Sequence, residues 1–262
     1  MSASPRTSFA ITRSVCNALF LREAVARLSA SRGAWAWIVL EPVLHVLFML
    51  FIFTVLRART IAGADATFWL LVGMVSFFTA QNVFQRSMGA IDANAALFAY
   101  RQVRPVDTVF VRFGLEVLLG LTVAAVLLLL AGLLGHASAP SDPLGALAAY
   151  VGLMLCGLGL GLILSAAGQL VQEVNNVASF LFRPLYFLSG VIFPLAVVPV
   201  QYRGWVFLNP FAHGLELLRA SFFPIYHEAP EANFGYLYVF AVGSIFLGLA
   251  LHVRFAERLR AQ

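Results

Sequence analysis

Lysine is absent from the 262-residue chain; all 17 basic residues are arginine. A P-loop needs a lysine on the phosphates of its nucleotide. A standard ATP site is therefore excluded, and an ATP-driven process would need a motor on another subunit. Cysteine is almost absent as well. Cys16 falls in a polar amphipathic segment and Cys156 in an apolar run, so the two are not expected to meet and no disulfide or metal framework follows. Charge is scarce, at 11% of residues against 61% hydrophobic, where a soluble domain carries nearer a quarter. Complete catalytic sets are lacking too. Glu41 and His45 stand one helical turn apart, as do His213 and Glu216. Each pair offers two ligands where structural zinc takes four, and no Ser-His-Asp set is singled out by spacing. We expect no catalytic residue, no metal, no cofactor held by this chain and no nucleic-acid partner.

What the chain does have is long apolar runs. Six reach or approach the ~20 residues that cross a bilayer: Trp35–Leu56, Phe68–Phe84, Val106–Leu134, Leu144–Leu170, Val177–Val200 and Phe234–Val253. The fold class is an all-α integral membrane protein with six transmembrane helices in one domain spanning 1–262. The first run starts near Trp35, so no cleavable signal peptide is expected before it. An even count puts both termini on one side. Arg6, Arg13, Arg22, Arg27 and Arg32 precede the first run, Arg86, Arg101 and Arg104 follow the second, and Arg254, Arg258 and Arg260 follow the last. Only Arg57, Arg59, Arg203 and Arg219 fall in the opposite loops, while Arg112 and Arg183 lie inside runs. The arginine-rich side, and with it both termini, should be cytoplasmic.

Three segments outside the runs carry pattern. In the arm 8–32, Ile11, Val15, Ala18, Leu19, Leu21 and Val25 share one helical face. Arg13, Asn17, Glu23 and Arg27 lie opposite, with Phe20 and Arg22 out of pattern. Such a helix suits the headgroup layer, as a lipid anchor or as a contact for a soluble partner. The loop 86–104, within "QRSMGAIDANAALFAYRQVRP", is long for a connection, helical in composition and ended by Pro105. The stretch 189–233 never becomes a polar loop: Gly190, Pro194, Pro199, Gly204, Pro210 and Gly214 interrupt a run of aromatic residues. Broken apolar backbone of this kind suggests short re-entrant or interfacial helices, although each ring alone would serve as an interface anchor. Asn209 and Pro210 read as a helix start, and Glu216 and Arg219 are spaced to pair. In the fourth run Gly157 and Gly161 have small-xxx-small spacing, which suits close helix packing or a dimer seam.

Arg183 is the least expected residue of all, a charge followed by Pro184 inside an apolar run. An arginine facing lipid at mid-helix costs about 2.5–3.5 kcal/mol. Either it reaches back to lipid phosphates as an anchor, or it lines a channel, with Phe180 and Phe187 on its stripe and Tyr186 beside it. Glu41 and His45 are further channel candidates, and Glu41 could instead reach water or Arg112.

The strings "ALFAYRQVRP", "LSGVIFPL" and "NPFAHGLELLR", set in this layout, resemble the permeases of ABC exporters of the second type. The likeness is strongest to the capsular-polysaccharide export permeases, with O-antigen and nodulation-factor permeases close behind; drug or lipid permeases and a secondary transporter remain alternatives. The resemblance implies a homodimer enclosing a channel in the bacterial inner membrane, with two copies of a separate ATP-binding subunit that holds ATP and Mg. A lipid-linked, acidic polysaccharide would be threaded outward, with a periplasmic co-polymerase and an outer-membrane exporter continuing the path. It also implies that a helix over Ala90–Ala99, with Asp92, Asn94, Leu97 and Phe98, docks on the ATPase. Tyr202, Trp205, Asn209, His213, Glu216 and Arg219 would belong to a periplasmic gate.

Overall fold

The computed structural model describes residues 8–28, 33–56, 60–61, 64–136, 138–171 and 173–260; Arg6, Arg32, Arg57 and Arg59 lie outside the described residues. Helix α1 (Ser8–Leu28) and helix α2 (Ala34–Leu56) lead to a small hairpin of β1 (Thr60–Ile61) and β2 (Ala64–Asp65). Then come α3 (Ala66–Met88), a 3-10 helix over Asp92–Ala99, α4 (Pro105–Leu133), α5 (Pro143–Leu170) and α6 (Glu173–Leu188). A 3-10 turn over Leu195–Val197, α7 (Val200–Val206), α8 (Pro210–Phe222) and α9 (Phe234–Arg254) complete the order. Among the described residues α3, α4, α5 and α9 are long and apolar enough to cross a membrane. Helix α2 has 23 residues, of which Leu40–Ile52 form a shorter apolar stretch.

Local chemistry explains where the long helices begin. Asp65 accepts a hydrogen bond from the Phe68 amide at 2.8 Å and starts α3. Asp142 accepts from Gly145 N at 3.0 Å ahead of Pro143, and Asn233 accepts from Gly235 N at 2.6 Å ahead of Phe234. Pro105 takes the first position of α4, where its missing amide costs nothing.

The fifth run does not form one long helix. Helix α6 passes through Pro184 and ends at Leu188, after 16 residues. Gly190 then adopts φ 69°, and the chain continues as bends, a 3-10 turn and the short α7. A left-handed residue and two prolines within ten positions leave no regular ladder to continue. The two-strand hairpin was not foreseen; its segments are too short to show a period.

Helix α5 is the centre, packed along α3 and α9 and against α8. Its glycines permit this. A Cβ on Gly157 would come within 2.8 Å of Ala80 O, Gly161 abuts Ser87, and Gly159 abuts Ser244 of α9. The chain's own helices thus cover the small-residue face, so it packs α3 and α9 and is not a dimer seam. At one end of the bundle Leu19, Ile91, Phe98, Val103, Val111, Ala166 and Leu259 form a single cluster. Both ends of the described chain therefore meet beside the 86–104 loop, at the arginine-rich end. The far end is closed by a second cluster of Leu195, Phe207, Ala212 and Ala229.

Candidate functional site

Helices α2 and α6 start at the arginine-rich end and run away from it, with α3 between their side chains. The His45 ring meets Phe78 edge-on at 5.1 Å, and Phe78 stacks on Tyr186 at 5.8 Å and 9°. Tyr186 also meets Phe77 at 5.7 Å and Phe187 at 5.2 Å. One aromatic band thus joins α2, α3 and α6. Phe180 and Phe187 are 68% and 55% exposed on α6, and Arg183 between them is exposed too. Glu41 and His45 are exposed on α2. Phe78 thus links His45 to Tyr186 and Phe187, while Glu41, Phe180 and Arg183 stay exposed on the same two helices. Phe78, which bridges the two outer helices, was missed; nothing in the sequence sets it apart from its neighbour Phe77. Glu41 does not reach Arg112. That guanidinium pairs with Glu23 at 3.0 Å and donates to Gly89 O at 3.0 Å and Arg86 O at 3.3 Å.

The 86–104 loop corrects its candidates. It forms a 3-10 helix, whose period of three turns Ile91 and Asn94 inward together. Asn94 is buried, donates to Ala90 O at 2.8 Å and accepts from the Arg22 guanidinium. Phe98 is buried in the end cluster and Leu97 packs against it. Asp92 is exposed and accepts from Gln169 Nε2 at 2.6 Å. Asn94 and Phe98 therefore serve the fold, and the outward face carries Asp92, Ala93, Ala96 and Tyr100.

Helix α1 is corrected as well. Leu19 turns into the bundle, but Leu21 and Val25 point outward. Glu23 and Arg27, assigned to the polar face, turn onto α4, where they pair with Arg112 and with the buried Glu116. Arg86 approaches the same Glu116 at 3.9 Å. The amphipathic pattern misled because two charges of the third run, Arg112 and Glu116, supply a polar seat for α1.

At the far end α7 and α8 differ sharply. Helix α7 has no buried residue, with Trp205 75% and Tyr202 56% exposed. Helix α8 is buried from Pro210 through Arg219. Asn209 caps it as expected, accepting from Phe211 N at 3.1 Å, and donates to Ser189 Oγ at 2.8 Å. Glu216 and Arg219 do not pair with each other; each pins a different part of the broken segment. Arg219, fully buried, donates to Gly190 O and Val191 O at 2.7 Å and lies 3.4 Å over the Trp69 ring. Gly73 leaves room for the guanidinium. Glu216 accepts from the Tyr226 hydroxyl at 2.9 and 3.0 Å, and from the Leu195 and Ala229 amides at 3.3 Å. Burial, together with this carboxylate, pushes the Tyr226 phenol up and keeps it a donor. His213 accepts from Asn233 N at Nδ1, 3.0 Å, and Nε2 lies 2.7 Å from Phe207 O. With both nitrogens used internally, His213 and Glu216 have no free face for a metal. Trp69 and Gly73 were missed, although their spacing of four on one helix face was a readable signal.

Similarity to known proteins bears on this arrangement. A family model described as ABC-2 type transporter matches residues 14–223. The polysialic acid transport protein KpsM of Escherichia coli is 35% identical over 247 residues, covering 94% of this chain and 95% of that protein. The capsule polysaccharide export inner-membrane proteins CtrC of Neisseria meningitidis serogroup A and BexB of Haemophilus influenzae are each 28% identical. They cover 97% and 98% of this chain. A match that takes in the loop, the wall helices and the buried α8 together leaves one assignment: the chain belongs to the ABC-2 type transporter family.

Proposed function

We propose that this chain is the membrane-spanning subunit of an ATP-driven exporter that carries capsular polysaccharide across a bacterial inner membrane. The observation that carries the reading is the 35% identity to KpsM across 94% of the chain. Two copies enclose the channel. Two copies of a separate ATP-binding subunit, which holds ATP and Mg, bind at the arginine-rich, cytoplasmic end where both termini lie. The chain itself catalyses nothing. A periplasmic co-polymerase and an outer-membrane exporter receive the polymer, which is lipid-linked and acidic. The α2–α6 wall suits such a cargo. Flat rings support sugar faces without a fixed hydrogen-bond register, and a guanidinium holds a carboxylate or phosphate in two-pronged fashion. Helix α1 lies against membrane lipids. Helices α7 and α8 form a re-entrant hairpin, with Tyr202 and Trp205 at the periplasmic mouth.

The test is complementation of a host lacking its capsule permease. The wild-type chain should return polymer to the surface. Arg183→Ala should return about a tenth as much at equal protein level, the loss expected for one charge-assisted contact. No surface polymer with the wild-type chain overturns the export reading. Full export with Arg183→Ala leaves the arginine a lipid anchor.

The ATPase contact has its own test. A cysteine at Ala93, Ala96 or Tyr100 should cross-link to the ATP-binding subunit, whereas one at the buried Asn94 should not. Cross-linking from none of the three outward positions refutes docking through this loop.

A further inference from the structure

We infer that Glu41 of one copy pairs with Arg183 of the second, so that two symmetric ion pairs join the copies across the channel wall. This rests on the two-copy reading above. The first argument is that both charges lack partners. Among the described residues neither Glu41 nor Arg183 makes a hydrogen bond or an ion pair, and both are exposed. The chain behaves differently wherever it can supply a partner: Arg112 and Glu116 of α4 are paired with Glu23 and Arg27 of α1. An ionised group at membrane depth normally faces a partner or a hydrated cavity. The flanks of these two are apolar and exposed, with Trp37, Leu44 and Phe48 on α2 and Val177, Phe180 and Phe187 on α6.

The second argument is register. The ring chain His45–Phe78–Tyr186 ties α2 to α6 through α3. Glu41 lies one helical turn before His45, and Arg183 lies about one turn before Tyr186 and Phe187, both toward the same end of the bundle. A two-fold axis along the bundle keeps depth unchanged, so Glu41 of one copy and Arg183 of the other each stand about one turn back from rings of the same linked band. An isologous interface then makes the contact twice. The opposite signs make it attractive, where Arg183 against Arg183 would repel.

The pairing also states a condition on the cargo. With each guanidinium held by a carboxylate, a passing polymer must bring its own anion to replace Glu41. A neutral polymer has nothing to exchange, and the pairs stay closed. Glu41 would thus tune selectivity for acidic chains, a role distinct from that of the sugar-supporting rings.

The experiment uses two differently tagged copies of the full chain, expressed with the ATP-binding subunit, with Cys16 and Cys156 replaced by alanine. One copy carries Glu41→Cys and the other Arg183→Cys. A short bis-maleimide should link the two tags, and a Glu41→Cys copy should not link to another Glu41→Cys copy. In parallel, Glu41→Arg and Arg183→Glu should each lower export on the order of tenfold, and the double reversal should recover most of it. Co-purification of the two tags reports separately on the two-copy reading. If the tags co-purify but neither the mixed cross-link nor rescue is seen, the ion pair is refuted and the dimer stands. If the tags do not co-purify, the two-copy reading fails and the pairing falls with it.

Discussion

An Arg219→Met chain will be produced but will not hold its far end together. It should lose stability by about 3–5 kcal/mol, because the arginine donates to two buried carbonyls. Its guanidinium donates to Gly190 O and Val191 O at 2.7 Å, at the left-handed turn that ends the α6 segment. Water cannot replace it, since the side chain is fully buried and covered by Trp69 at 3.4 Å. Orphaned carbonyls in a dry site cost several kcal/mol. Arg219→Lys should fare little better, because one ammonium cannot stack on the indole and serve both oxygens in the plane of a fork. Gly73→Ala offers an independent approach to the same contact, as its new Cβ would land on the guanidinium. All three variants should melt on the order of 10 °C lower than wild type in detergent, followed by intrinsic tryptophan fluorescence. A wild-type melting temperature for Arg219→Met would show that the carbonyls find other donors and that the pin is dispensable.

This pin illustrates which parts of the molecule were legible in the sequence. Runs of apolar residues need only composition and length to be recognised, so α2, α3, α4, α5 and α9 begin and end within a few residues of their expected bounds. Caps are equally local: Asn209 with Pro210 starts α8 through a bond that spans two residues. The partner of Arg219 was not legible. Glu216, three residues away, satisfied the helical pairing rule, but the two side chains take different partners, Arg219 the Gly190 and Val191 carbonyls and Glu216 the Tyr226 hydroxyl. A spacing rule sees the nearest charge and cannot see a carbonyl 29 residues back in the chain that tertiary folding delivers. The channel candidates drew notice for a different reason. Arg183, Glu41 and His45 stood out because they are polar in apolar runs, and the cost of such residues made them candidates before any geometry was known. Phe78 had no such contrast.

The same blind spot hid the seat of α1, and there the expected effect is also large. Glu116→Ala should release α1 from the bundle. Glu116 is buried and is approached by Arg27 and, at 3.9 Å, by Arg86, whose side chain is largely exposed and screened. Arg112 lies one turn away on α4, held by Glu23 at 3.0 Å. Removing the carboxylate leaves three guanidiniums to one acid in a partly buried cluster, and breaking a buried pair from one side costs about 3–5 kcal/mol. The cost falls on local opening, because α1 is tied to the rest chiefly along α4 and through the Arg22–Asn94 bond. Trypsin should therefore cut after Arg22 and Arg27 at least tenfold faster in Glu116→Ala than in wild type, by the shift in the open population. The double variant Arg27→Met/Glu116→Met discriminates between a charge imbalance and a lost shape. Replacing both members of a buried pair with apolar side chains of similar volume is often neutral, so the double variant should regain most of the protection that Glu116→Ala loses. Equal cutting of wild type and Glu116→Ala would mean that the apolar contacts of Val15, Leu19 and Phe20 hold α1 without help from the charges.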